Sequence, residues 1–217
     1  MEYKYNKNNL NHDLIKYIES TIFPEYELNE AGHGIEHILS VINHSFEIAK
    51  NYDVDLNLVY AIAAYHDIGH HIDRKNHEKV SADIMIKDEN LNNFFTNEEL
   101  YIIKEAIEDH RASIGIEPRN IYGKIVSAAD KTLTIDDAIN RTYFYTKEHN
   151  SNFSEQEVLE EIYNHLDKKF GENGYAKIYI KDEQFENFKN ELILLLKNKP
   201  TFFKKVNEVI KTAKGKQ

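Results

Sequence analysis

Val59, Ile62, Ala63, His66 and His70 recur at i, i+3, i+4, i+7 and i+11, which puts them on one face of an α-helix. A face this apolar belongs in a core, yet it carries an imidazole, and Asp67 follows directly. A buried carboxylate without a partner costs several kcal/mol or gives up its charge. His66 and Asp67 therefore require something positive beside them, a cationic side chain or a metal ion. Whatever this chain folds into must supply it there.

The same combination recurs along the chain. Leu10, Leu14, Tyr17, Ile18 and Ile22 form a first helical stripe, which Pro24 should end. A helix from about Ile35 to Tyr52 turns Ile38, Val41, Ile42, Ser45 and Ala49 inward, with His37 flanking that stripe. Asp53 and Asp55 are cap candidates for the next helix, which should stop near Gly69. His77 shares a stripe with Val80, Ser81, Ile84 and Met85, and His110 ends the stripe Leu100, Ile103, Ile107 behind a Thr96–Glu99 capping box. Asp130 lies one turn beyond Val126 in a stripe of Ile121, Ile125, Val126, Ala129 and Leu133; a continued helix would bring Thr134, Asp137, Ala138 and Arg141 to the same face. Ser154–Glu157 is a second capping box, followed by helical patterns to Phe170, from Phe185 to Leu195, and from Phe202 to Ala213. Tyr175 to Ile180 fits either a strand or a helix. Alternating strand patterns are nearly absent, so the expectation is an all-α bundle forming a single domain over 1–217.

Composition narrows the function classes. The chain has no cysteine, which excludes disulfides, thiolate metal sites and thiol catalysis. Its net charge of -10 argues against a nucleic-acid polymer as partner, because phosphate backbones are held by clustered Lys and Arg. No apolar run reads as a leader or a membrane span, so a soluble, cytoplasmic protein with no membrane partner is expected.

His37, His66, Asp67, His77, His110 and Asp130 thus all fall on or beside inward-facing stripes. Packing alone does not explain such a set. Imidazole and carboxylate are ligands for divalent Fe, Mn, Zn, Co or Ni. A carboxylate flanked by histidines can bridge two ions about 3.5–4 Å apart, an arrangement that activates water and clamps a phosphoryl oxygen. Asp67, with His66 beside it, is the candidate bridge and the centre of catalysis.

Three segments carry a resemblance. Glu36-His37-Ile38-Leu39-Ser40-Val41, Tyr65-His66-Asp67-Ile68-Gly69 and Ala128-Ala129-Asp130-Lys131 resemble, in order, the signature segments of the HD-domain superfamily of metal-dependent phosphohydrolases. His77-Glu78-Lys79-Val80-Ser81-Ala82 and Ala106-Ile107-Glu108-Asp109-His110-Arg111 are similar to the two further segments of its two-metal members, where the histidines hold the second ion. The resemblance spans about 31–142, with helices 151–217 expected to pack on that core. It implies a compact helical bundle of the HD type. Many members have Lys three residues after the paired Asp; here that residue is His70.

The function this implies is hydrolysis of a small nucleotide or related phosphate ester or anhydride by a hydroxide held between two metal ions. Arg111, Lys131 and Arg141 are the candidate substrate-binding cations, with His33 and His70 at the rim of the pocket. A di-iron oxygenase would use the same ligands, and a non-catalytic nucleotide-binding module would keep them. No P-loop, dinucleotide-binding glycine motif or nucleophile elbow points to another class.

Overall fold

A computed structural model describes residues 9–30, 32–111, 115–131 and 134–214. Ala31, Leu133 and the N-terminal stretch Met1–Tyr5 lie outside the described residues. Among those described, every regular element is helical, as the all-α expectation requires. The backbone divides into two compact units, Met1–Asp130 with Ile178–Lys181, and Lys131–Lys177 with Asp182–Gln217.

The first unit is built from α1 (His12–Tyr17), α2 (Ile35–Ala49), α3 (Leu56–Tyr65), α4 (His77–Ile86), α5 (Asn97–Asp109) and α6 (Ile121–Ala129). Asn11 caps α1, Asp55 caps α3 and Asn120 caps α6, each accepting backbone N–H bonds through its side chain. The Thr96–Glu99 capping box is present at α5. Pro24 does not end the first helical region. The chain runs from α1 through a wider π-helical stretch, Ile18–Ile22, into a tighter 3-10 stretch, Phe23–Leu28, with Pro24 in its first turn, where its missing N–H costs nothing.

α3 lies at the centre, packed on α2, α5 and α6. Leu58 through Tyr65 are all buried, so the helix is enclosed on every side and not only along the stripe seen in sequence. Its alanines, Ala61, Ala63 and Ala64, let neighbouring helices approach closely. At its end, Tyr65 and Tyr17 both donate to Asp88 Oδ2 at 2.5 Å, and Tyr26 donates to the Ala64 carbonyl at 2.7 Å. The stretch Tyr175 to Ile180, undecided in sequence, has neither helix nor strand; Ile178 and Ile180 pack on this core, and the Lys181 N–H donates to Tyr52 Oη at 3.2 Å.

The second unit holds α7 (Ile135–His149), α8 (Glu155–Phe170), α9 (Glu183–Leu196) and α10 (Lys199–Lys214). Ser154 and Glu157 form the second capping box. Its core is aromatic and aliphatic: Phe170 meets Phe188 edge to face at 5.1 Å, above buried Ile162, Leu166, Leu192 and Phe202. α6 and α7 are separate helices. The continuous helix from Ile121 to Arg141 is therefore corrected: α6 stops at Ala129, Asp130 is its C-cap, and Thr134 starts α7 by accepting from the Asp137 N–H.

Gly69 marks the tightest approach in the first unit. A Cβ there would lie 2.7 Å from Val80 Cγ1 and 2.8 Å from the Ser81 nitrogen, while the Gly69 N–H donates to Ser81 Oγ at 2.9 Å. The turn after α3 thus docks directly on α4. Gly69→Ala should destabilise the protein by roughly 1–3 kcal/mol through overpacking. Denaturant unfolding measures this, and an unchanged midpoint would show that α4 yields without cost.

Candidate metal centre

Six ionisable side chains reach the cluster from five helices. His37 is in the first turn of α2 and His77 is the first residue of α4. His66, His110 and Asp130 are the C-caps of α3, α5 and α6, and Asp67 follows His66 in the turn. Three helices therefore aim their carbonyl ends at this region, and the negative end of a helix dipole favours a cation. His66, Asp67 and His110 are sealed from solvent at 0%, 2% and 1% exposure, whereas the Asp130 side chain is 26% exposed. Asp130 is the most exposed of the six.

The two oxygens of Asp67 face different partners. Oδ2 lies 3.6 Å from His37 Nε2 and 3.7 Å from His66 Nε2. Oδ1 lies 3.3 Å from His77 Nε2 and 3.5 Å from His110 Nε2. Asp130 Oδ1 completes the first side, 3.1 Å from His37 Nε2 and 3.8 Å from His66 Nε2. The donor atoms of His37, His66 and Asp130, and those of His66, Asp67 and His110, each lie within 4.8 Å of one another, close enough to hold a metal ion.

Backbone carbonyls orient the rings. His66 Nδ1 is 2.8 Å from the Ala63 carbonyl, His77 Nδ1 3.0 Å from Arg74, and His110 Nδ1 2.6 Å from Ile107, each three residues upstream. A carbonyl only accepts, so each Nδ1 carries the proton, and in the neutral ring Nε2 keeps its lone pair. All three Nε2 atoms turn toward Asp67. His77 Nε2 and His110 Nε2 are then two acceptors 3.3 Å apart beside a carboxylate oxygen, which only a proton or a cation between them reconciles. His37 Nε2, His66 Nε2 and Asp67 Oδ1 are buried without an aligned hydrogen bond, even where a carboxylate is close. This donor set fits divalent transition metals.

Protons do the same work in the ion-free protein. Burial disfavours charge on His37, but the Asp130 and Asp67 carboxylates outweigh it and raise its pKa to about 9. Burial would push the Asp67 carboxyl up; the His66 charge and the His110, His33 and His37 rings hold it well below the usual range. Asp130 is likewise driven down, against burial, by His37 and His66. Burial and the neighbouring His110 lower His77, whereas Asp67 overcomes burial to raise His110.

His33, expected at the rim, touches the cluster directly: its Nδ1 is 2.8 Å from Asp67 Oδ2, with the side chain 30% exposed. It stacks on His70 at 4.0 Å, and burial together with His33 lowers His70 to about 4, so His70 is neutral at physiological pH. Arg111 turns to Glu78 Oε2 at 3.2 Å and to the Lys75 carbonyl. Lys131 Nζ sits 6.0 Å from the Phe185 ring centroid, and Arg141 is an exposed residue of α7. Three contributors carried no sequence signal. Asn29 Nδ2 donates to the Asp67 and His33 carbonyls, each at 3.0 Å, and so ties the loop to the turn after α3. Glu78 is buried and engages Arg111. Arg119 grips both oxygens of Asp109 at 2.9 Å and Glu108 at 2.6 Å, steadying the end of α5 that bears His110. A polar residue in a loop has no periodicity to betray its partner.

The family profile of the HD domain matches residues 34–135, which takes in His37, His66, Asp67, His77, His110 and Asp130. The chain carries an HD domain. No curated protein and no solved structure matches it. HD domains are mostly metal-dependent hydrolases that bind divalent ions, and the histidine–aspartate cluster of this one offers such ions a site.

Metal binding at this cluster would be linked to pH through His37. Its pKa stands above the ordinary 6.5, so its proton stabilises the ion-free fold fully below about 6.5, and that stability is lost as pH rises through about 9. An ion must displace that proton. At neutral pH, metal binding should release about one proton per protein from this group, and the release should fade past about pH 9. Calorimetry in buffers of different ionisation enthalpy reads it directly, and a binding heat independent of buffer would count against the assignment.

Proposed function

We propose that this HD domain hydrolyses a small phosphate ester or anhydride of the nucleotide type with the help of two divalent metal ions. The observation that carries the reading is the division of Asp67. One oxygen faces His37 and His66, with Asp130 beside them, and the other faces His77 and His110. His37, His66, Asp130 and Asp67 would hold one ion; His77, His110 and the same Asp67 would hold the other. When bound, such a pair supplies a nucleophilic water at neutral pH and stabilises charge on a transferring phosphoryl group.

The chain's own residues supply position and polarity. The carbonyl-bound Nδ1 atoms keep the rings of His66, His77 and His110 from rotating. His33 braces Asp67 Oδ2 from the open side, where a substrate would arrive, and neutral His70, stacked behind it, offers a hydrogen bond without adding charge. The acidic chain, net -10, opposes long polyanions and so favours a small substrate.

Two measurements test this reading. Protein stripped by chelator and reloaded with Mn, Fe, Co, Ni or Zn should release phosphate from mononucleotides, and Asp67→Asn should lose at least ~100-fold of the rate, because a neutral amide is a poor bridge between cations. His77→Ala and His110→Ala should each lower the bound metal from about two ions toward one, the difference between a paired and a single site. Phosphate release by Asp67→Asn at the wild-type rate sinks the proposal. So does an iron-loaded protein that consumes O₂ and releases no phosphate from any substrate tried.

A further inference from the structure

The second unit contains a cavity of about 190 Å³ between α7 and α8, with Arg141 and Tyr145 on one wall and His165, Leu166, Lys169 and Phe170 on the other. No carboxylate lines it, although the chain as a whole is acidic. A larger cavity in the same unit, about 410 Å³, is lined by side chains of both signs of charge. The smaller one differs in kind, because its charged side chains are all cations.

Local bonding keeps it so. Asp137, one turn from Arg141, accepts from the Thr134 hydroxyl at 2.6 Å, and the i, i+4 pair that would neutralise Arg141 is not formed. Among the described residues, Arg141 meets no carboxylate. Thr142, also in the lining, turns its hydroxyl back to the Ala138 carbonyl at 2.8 Å and offers no competing donor. Lys169 Nζ lies 5.0 Å from the Phe170 ring centroid, so one wall combines a cation with an aromatic face. Tyr145 is held by stacking on His149 at 4.1 Å. Burial and Lys169 both lower the His165 pKa, as expected where positive charge already gathers.

We propose that this cavity binds a small organic anion with a planar body, its phosphate or carboxylate held by Arg141 and Lys169 and its ring against Tyr145 and Leu166. Arg offers a bidentate fork to such a group, and concave, mostly apolar clefts with a few convergent polar groups are where small ligands bind. The volume suits one ring and one anionic group. None of these residues is a ligand of the metal centre, so binding needs no metal.

Phenyl phosphate is a suitable probe, titrated by calorimetry into the full chain in the presence of chelator. Saturable binding with one site per chain is expected, and inorganic phosphate should compete for it. Asp67→Asn should bind as the wild type does. Arg141→Ala and Lys169→Ala should each weaken binding roughly tenfold or more, the loss of one charge-assisted hydrogen bond. Lys147→Ala, an exposed cation on the same helix, should leave it unchanged. Arg141 is exposed, so its variants should keep their helical signal; Arg141→Gln, isosteric along most of its length, repeats the test if the alanine variant is unstable. The proposal is overturned by absence of saturation, by wild-type affinity in the Arg141 variants, or by binding that appears only once metal is restored.

Discussion

Asp67 is a carboxylate with 2% of its surface exposed, and the first unit is arranged around the need to keep it charged. Five imidazoles surround it, and their ring nitrogens lie 2.8–3.7 Å from its two oxygens. Among the described residues no lysine or arginine forms an ion pair with it, and Arg111 pairs with Glu78. The positive charge must then come from protons on histidine or from metal. A proton between His77 Nε2 and His110 Nε2, 3.3 Å apart, satisfies that pair. A metal ion would engage several of these lone pairs at once, and the donor atoms lie close enough together to hold one.

The helices supply this arrangement by where they stop. His66, His110 and Asp130 each occupy a C-cap, where the chain leaves the helix and a side chain can turn past the last carbonyls. Three convergent carbonyl ends add a negative field that a cation offsets. The same placement explains the Nδ1 bonds of His66 and His110, because a ring at the end of a helix can fold back on a carbonyl three residues upstream. Gly69 then lets the turn press onto α4, which brings His77 to the other oxygen. Asn29 fixes the turn from the opposite side through two carbonyls.

The second unit follows a different logic. Its helices bury a band of phenylalanine and leucine, and the residues that escape that core decide its surface chemistry. Arg141 is an instance: the Asp137 carboxylate one turn away accepts from the Thr134 hydroxyl and forms no ion pair with it, and Arg141 lines the cavity.

The sequence alone carried much of this. Helical periodicity and capping boxes settle the all-α class, since amphipathic stripes and N-caps are local features written within a few residues. The residues that cluster were legible too, because His37, His66, His77, His110 and Asp130 each end or flank an apolar stripe, where an ionisable group has no cheap packing explanation. Tertiary structure decided the rest. Periodicity could not tell that α6 ends at Asp130, because the apolar spacing runs on after the backbone has turned. It could not give Asp67 two sides, because which oxygen meets which ring depends on how α2, α3, α4 and α5 cross. Nor could it find Asn29 or Glu78: the partners of a loop amide or a buried carboxylate are chosen in space, by helices far apart along the chain.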